Sequence, residues 1–121
     1  MQTFIEQSIK NTLDGKEAER ILRSCVHCGF CIATCPTYQL LGDELDGPRG
    51  RIYLIKSMLE GEVSTRQTMK HLDRCLTCRA CETTCPSGVE YGKLLDIGRH
   101  YINQKIFRPW QHRLYRFFIL Q

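Results

Sequence analysis

Nothing in this sequence of 121 residues stays apolar long enough to cross a bilayer, which excludes a transmembrane helix. No segment alternates apolar and polar residues with the period of two that a half-buried strand requires, so the expected fold class is all-α. The opening residues, MQTFIEQSIK, lack the apolar centre of a secretory signal. The chain is therefore expected in the cytoplasm, or peripheral at the inner face of a membrane. Ser/His/Asp sets, carboxylate pairs and glycine-rich phosphate loops are missing too. GPRGR at 47–51 is too short and proline-interrupted to cradle a nucleotide. No small-molecule substrate is expected to bind this chain directly. A net charge of +4, spread along the sequence, gives no basic face, and no helix-turn-helix is recognisable, so nucleic acid is not an expected partner.

What the chain does have is cysteine. All eight fall in two runs, CVHCGFCIATCP at 25–36 and CLTCRACETTCP at 75–86. In a reducing compartment they read as metal ligands rather than disulfides. The repeat extends past the cysteines. Leu22 and Leu72 each stand three residues before a run, Thr34 and Thr84 precede the fourth cysteine, and Pro36 and Pro86 follow it. Each half reads as a helix leading into a cysteine turn with a proline exit, giving two pseudo-symmetric halves.

Each run is C-x2-C-x2-C-x3-C-P. Three cysteines spaced by three residues on a curled backbone direct their sulfurs into one pocket and can wrap one cluster. Proline disfavours the α conformation in the residue before it, so Cys35 and Cys85 should leave the curl extended. In two-cluster ferredoxins this fourth cysteine ligates the other cluster. The expected ligands are Cys25, Cys28, Cys31 and Cys85 for cluster I, and Cys75, Cys78, Cys81 and Cys35 for cluster II. With no cysteine missing, two [4Fe–4S] clusters are expected. The competing reading is a structural zinc-binding interaction module. Zinc ribbons pair cysteines without a third at the next step or a proline after the fourth. His27, between two ligands, reads as a hydrogen-bonding or surface residue, because every cysteine is in place. Val26, Gly29, Phe30, Ile32 and Ala33 make the first run more apolar, whereas Arg79 stands in the second. Cluster I is accordingly expected to have the lower potential.

Helices are expected over 3–13, stopped by Gly15, and over 16–24. Another should start at Pro48 and run to about Glu60, with Ile52, Ile55, Met58 and Leu59 on one face and Gly61 ending it. Ser64 or Thr65 should cap a helix carrying Met69 and Leu72, and 90–105 should form an amphipathic helix. Arg49 and Arg51 are poorly placed at a helix N-terminus and are expected to pair with Asp43, Glu44 and Asp46. His71, His100 and His112 show no clustering and read as surface or core-edge residues. The expected organisation is a two-cluster domain over 1–108 and a C-terminal helix over 109–121. In that helix Trp110, Leu114 and Phe117 share a face, as at the start of a further region.

The cysteine runs together resemble the two-cluster α-helical ferredoxin family. The stretches CVHCGFCIATCPTYQLLGDELDGPRGRIYLIK and HLDRCLTCRACETTCPSGVEYGKLLDIGR resemble, more narrowly, the N-terminal region of the glycolate oxidase iron–sulfur subunits. Iron–sulfur subunits of lactate-utilisation and anaerobic glycerol-3-phosphate dehydrogenase complexes are near relatives. The resemblance implies a non-catalytic electron-transfer subunit of an oxidoreductase complex. Its partners would be FAD-containing dehydrogenase subunits that oxidise glycolate, and a quinone or another membrane acceptor. It also implies two [4Fe–4S] clusters on the eight cysteines. Family members continue into cysteine-rich regions with CCG motifs. No CC pair exists here, so the chain is expected to be a fragment or a short relative.

Overall fold

The computed structural model describes residues 2–106 and 110–119. Among these residues there are eight α-helices and no strand. They are α1 (Gln7–Lys10), α2 (Leu13–Ser24), α3 (Pro36–Leu41), α4 (Pro48–Leu59), α5 (Arg66–Asp73), α6 (Ala80–Thr84), α7 (Tyr91–Lys105) and α8 (Trp110–Ile119). Short 3₁₀ turns at Ile32–Thr34 and Glu44–Asp46 complete the set. No helix among the described residues is long and apolar enough to cross a membrane.

The core forms where α2, α4, α5 and α7 pack together, burying Ile21, Leu22, Ile55, Leu59, Leu72, Leu94 and Leu95. The expected apolar face of α4 is buried, and Thr65 caps α5 by accepting the N–H of Thr68. Leu22 and Leu72 are both fully buried, and their carbonyls accept the N–H of Cys25 and Cys75. The last turn of a core helix thus delivers each run in the same way.

The N-terminus departs from expectation. No helix covers 3–13: residues 2–6 carry no regular structure, and only Gln7–Lys10 are helical. Glu6 N–H bonds the carbonyl of Leu59, tying this segment to the end of α4. Gly15 does not stop a helix either. Thr12 is a true N-cap whose Oγ1 accepts the Gly15 N–H at 2.9 Å, so the chain restarts there and Gly15 lies in the first turn of α2. A Cβ on Gly15 would stand 1.9 Å from the Ile9 carbonyl oxygen, which explains the glycine by close approach.

Two further expectations need correction. Arg49 does pair with Glu44, but Arg51 reaches no residue of the acidic loop. It turns inward and is 1% exposed. His71 is buried rather than peripheral, and its Nδ1–H donates to Asp46 Oδ1 at 2.8 Å. Arg74 Nη1 donates to Asp46 Oδ2 at 3.0 Å. These contacts link α4, α5 and the 3₁₀ turn between residues 20 to 28 positions apart, which no local spacing reveals.

Asp46 gives a pH test. Burial pushes its carboxyl upward, but the His71 hydrogen bond and the His71 and Arg74 charges outweigh this and hold it below its ordinary value. A depressed folded pKa stabilises the protein above the unfolded value of about 3.9, and this stabilisation is lost as pH falls through the folded value. Asp46→Asn should cost on the order of 3 kcal/mol at pH 7, because it breaks a buried pair. The difference from wild type should shrink below about pH 4. Denaturant unfolding followed by circular dichroism at pH 7 and in that acid range checks both parts.

Of the expected C-terminal helix, α8 is present, and its described side chains are exposed. Pro109, Leu120 and the side chains of Trp110 and His112 lie outside the described residues.

Candidate metal centre

The two runs fold into matching curls. His27 and Thr77, each two residues after the first cysteine, have φ of 58° and 57°. Gly29 and Arg79, each four residues after it, have φ of 80° and 60°. Positive φ turns backbone N–H groups inward. His27 N–H donates to Cys25 Sγ at 3.4 Å, and Thr77 N–H to Cys75 Sγ at 3.5 Å. A left-handed conformation costs a non-glycine residue about 1–2 kcal/mol, so His27, Thr77 and Arg79 hold strain that something in each curl must offset. Cys35 and Cys85 are extended, with ψ of 118° and 119°, as the following prolines require.

Two cavities open beside the curls. The first, about 440 Å³ and continuous with solvent, is lined by Cys25, Cys28 and Cys31 of the first run and by Cys85 and Cys81 of the second. The second, about 300 Å³, is lined by Cys75, Cys78 and Cys81 of the second run and by Cys35 of the first. Each cavity therefore meets the three curl cysteines of one run and the exit cysteine of the other. Cys81 and Tyr91 line both and form the wall between them. Cys28 and Cys78 are exposed, whereas Cys25, Cys35 and Cys81 are buried.

The donor chemistry fits a thiolate-bound iron group. Burial pushes the Cys31 thiol up, with crowding from Cys25, Cys85 and Cys28 adding to it. Cys81 is pushed up to about 12 by burial, with Cys31, Cys75 and Cys35 contributing. Such thiols resist ionising together unless a cation collects them, and soft thiolates select zinc, copper(I) or iron–sulfur clusters. Cys35 moves the other way. Burial opposes its ionisation, but the Thr37 hydroxyl, the N–H groups of Tyr38 and Thr37 at the start of α3, and Arg51 bring it down.

The residues at 21–89 match the 4Fe-4S dicluster domain family. The chain belongs to that family. The match spans both cysteine runs and supports iron–sulfur clusters as the bound group. The chain is 65% identical over 116 residues to the glycolate oxidase iron–sulfur subunit of Escherichia coli (strain K12), covering 96% of this chain and 28% of that protein. It is 43% identical over 100 residues to the probable glycolate oxidase iron–sulfur subunit of Bacillus subtilis (strain 168), covering 81% of this chain and 22% of that one. The chain therefore spans less than a third of the curated relatives it matches. No solved structure matches it significantly.

Several residues of this dicluster domain escape a reading of the cysteine pattern. Arg51 donates through Nη1 to Cys35 Sγ at 3.8 Å, and the Tyr91 hydroxyl donates to Cys75 Sγ at 3.7 Å. Arg99 grips the entry to the second curl, donating to the carbonyls of Leu72 and Cys75 at 2.9 and 2.8 Å. Arg79, expected to influence the second site, is exposed but does line the second cavity, and its guanidinium occupies the space a side chain on Gly92 would need. Asp43, Asp46 and His71 also bring ligand atoms within 4.8 Å of one another, but both oxygens of Asp46 are engaged by His71 and Arg74.

Proposed function

We propose that the chain is an electron-transfer module carrying two [4Fe–4S] clusters, cluster I on Cys25, Cys28, Cys31 and Cys85 and cluster II on Cys75, Cys78, Cys81 and Cys35. The observation that carries the proposal is the crossed lining of the two cavities, each drawing its fourth cysteine from the opposite run. Bound clusters supply reversible one-electron chemistry. The protein's own groups hold the thiolates, donate hydrogen bonds to Cys25 and Cys75, and line the first cavity with the apolar Ile52 and Val89. Exposed Cys28 and Cys78 give each site an edge at the surface where electrons can be exchanged. On this reading the two-cluster domain spans 1–108, and 109–121 is a separate C-terminal region that contains α8.

The names of the relatives support glycolate as the ultimate donor. On this reading the chain accepts electrons from an FAD-containing dehydrogenase subunit and relays them towards a quinone or another acceptor. The hydroxy acid, on this reading, is oxidised on that dehydrogenase subunit. Anaerobically prepared protein should contain about eight iron and eight labile sulfides per chain, with spin-coupled EPR signals on reduction. About two zinc ions without sulfide would replace this reading with that of a structural module.

A further inference from the structure

Arg51 stands out because, among the described residues, no carboxylate pairs with its charge. The guanidinium is fixed by three partners: Nε donates to the His71 carbonyl at 2.8 Å, Nη2 to Thr37 Oγ1 at 3.0 Å, and Nη1 to Cys35 Sγ at 3.8 Å. Among the described residues none of its partners is a carboxylate, since Asp46, the buried one nearby, is engaged by His71 and Arg74. An arginine cannot shed its proton, and burying an uncompensated charge is strongly unfavourable. Of the three partners only the sulfur of Cys35 can carry negative charge. Arg51 also lines the second cavity.

We infer that Arg51 is the fixed counter-charge of the cluster held by Cys35, Cys75, Cys78 and Cys81, and that it raises that cluster's reduction potential above the other's. The inference rests on the cluster assignment proposed above. Reduction adds one electron to an anionic centre and needs no proton, so a cation fixed against one of its thiolates favours the reduced form. Among the described residues, the lining of the first cavity holds no buried arginine. Its guanidinium, Arg49, lies beside Gly29 but is 28% exposed and is neutralised by Glu44. The Tyr91 hydroxyl adds a second donor on the Arg51 side, through Cys75. The backbone donors from His27 and Thr77 match and cancel between the sites. Arg79 also lines the second cavity but is exposed, so water screens it, and buried Arg51 is the cation that orders the pair, making cluster II the electron-receiving end.

The test is an anaerobic dithionite titration followed by EPR on the cluster-loaded wild type, Arg51→Met and Arg51→Lys. In Arg51→Met the higher of the two potentials should fall by at least tenfold in the reduction equilibrium, about 59 mV for a one-electron couple, with the lower potential unmoved. Arg51→Lys keeps the charge and should retain most of the higher potential. The inference is overturned if neither potential moves in Arg51→Met, if the lower one moves instead, or if Lys falls as far as Met. Should Arg51→Met lose a cluster outright, Arg51→Lys decides. A higher potential within threefold of wild type supports the counter-charge, and a fall of tenfold or more overturns it. Failure of the cluster assignment shows separately, as a wild-type chain without labile sulfide.

Discussion

Cys35→Ala should damage the cluster of the second run, although Cys35 belongs to the first. The reason is spatial. Cys35 leaves its own curl extended, enters α3 through Pro36, and lines the cavity of Cys75, Cys78 and Cys81. Removing it leaves that site three thiolates and also strips Arg51 of its sulfur partner. Iron should fall from about eight towards four per chain, because each cluster holds four. The decisive comparison is between variants. Cys35→Ala and Cys78→Ala should leave the same surviving EPR signal and the same surviving potential. Cys85→Ala and Cys28→Ala should leave the other. If Cys35→Ala instead matches Cys28→Ala, each run serves its own cluster and the crossed assignment is wrong.

Stripping the iron with a chelator under reducing conditions should unfold most of the domain. Binding free energy is folding free energy where a site does not exist in the unfolded chain, and in small structural metal sites it amounts to about 10 kcal/mol. Here the dependence is built into the backbone. His27, Thr77 and Arg79 are held at positive φ, and the half-buried Cys31 and buried Cys81 thiols crowd one another. Without a cation to gather the thiolates, the curls should relax first, releasing α3 and α6. The core helices then lose the connection between Leu22 and Leu72 through the two sites. Far-UV circular dichroism and limited proteolysis before and after chelation check this. A chain that keeps its helicity and its protease resistance without iron would show that the apolar core alone sustains the fold.

The parts of this molecule that follow local rules are legible in its sequence. Cysteine spacing and the proline exits give the curls and the extended fourth cysteines. Apolar spacing gives α4 and α7, and Thr65 marks the start of α5. The relation of Leu22 to Leu72 announces the two-fold repeat. What escapes is non-local. Thr12 redirects the N-terminal helix, and the first residues follow the end of α4 through the Leu59 carbonyl. The Asp46–His71 pair joins residues that no window contains together. Arg51 left a signal all the same. It lies four residues before Ile55 and seven before Met58, on the buried face of α4, so its spacing pointed inward while its charge suggested water. The second curl likewise accepts a left-handed arginine where the first uses Gly29, a choice that composition cannot foretell.

The crossed lining of the cavities also bears on the order in which the chain is made. Synthesis runs from the N-terminus, so Cys25, Cys28 and Cys31 emerge first and wait more than fifty residues for Cys85. By residue 84 all four cysteines lining the second cavity exist, Cys35 among them, while the first still lacks its last. The run that is translated first belongs to the site that is completed last.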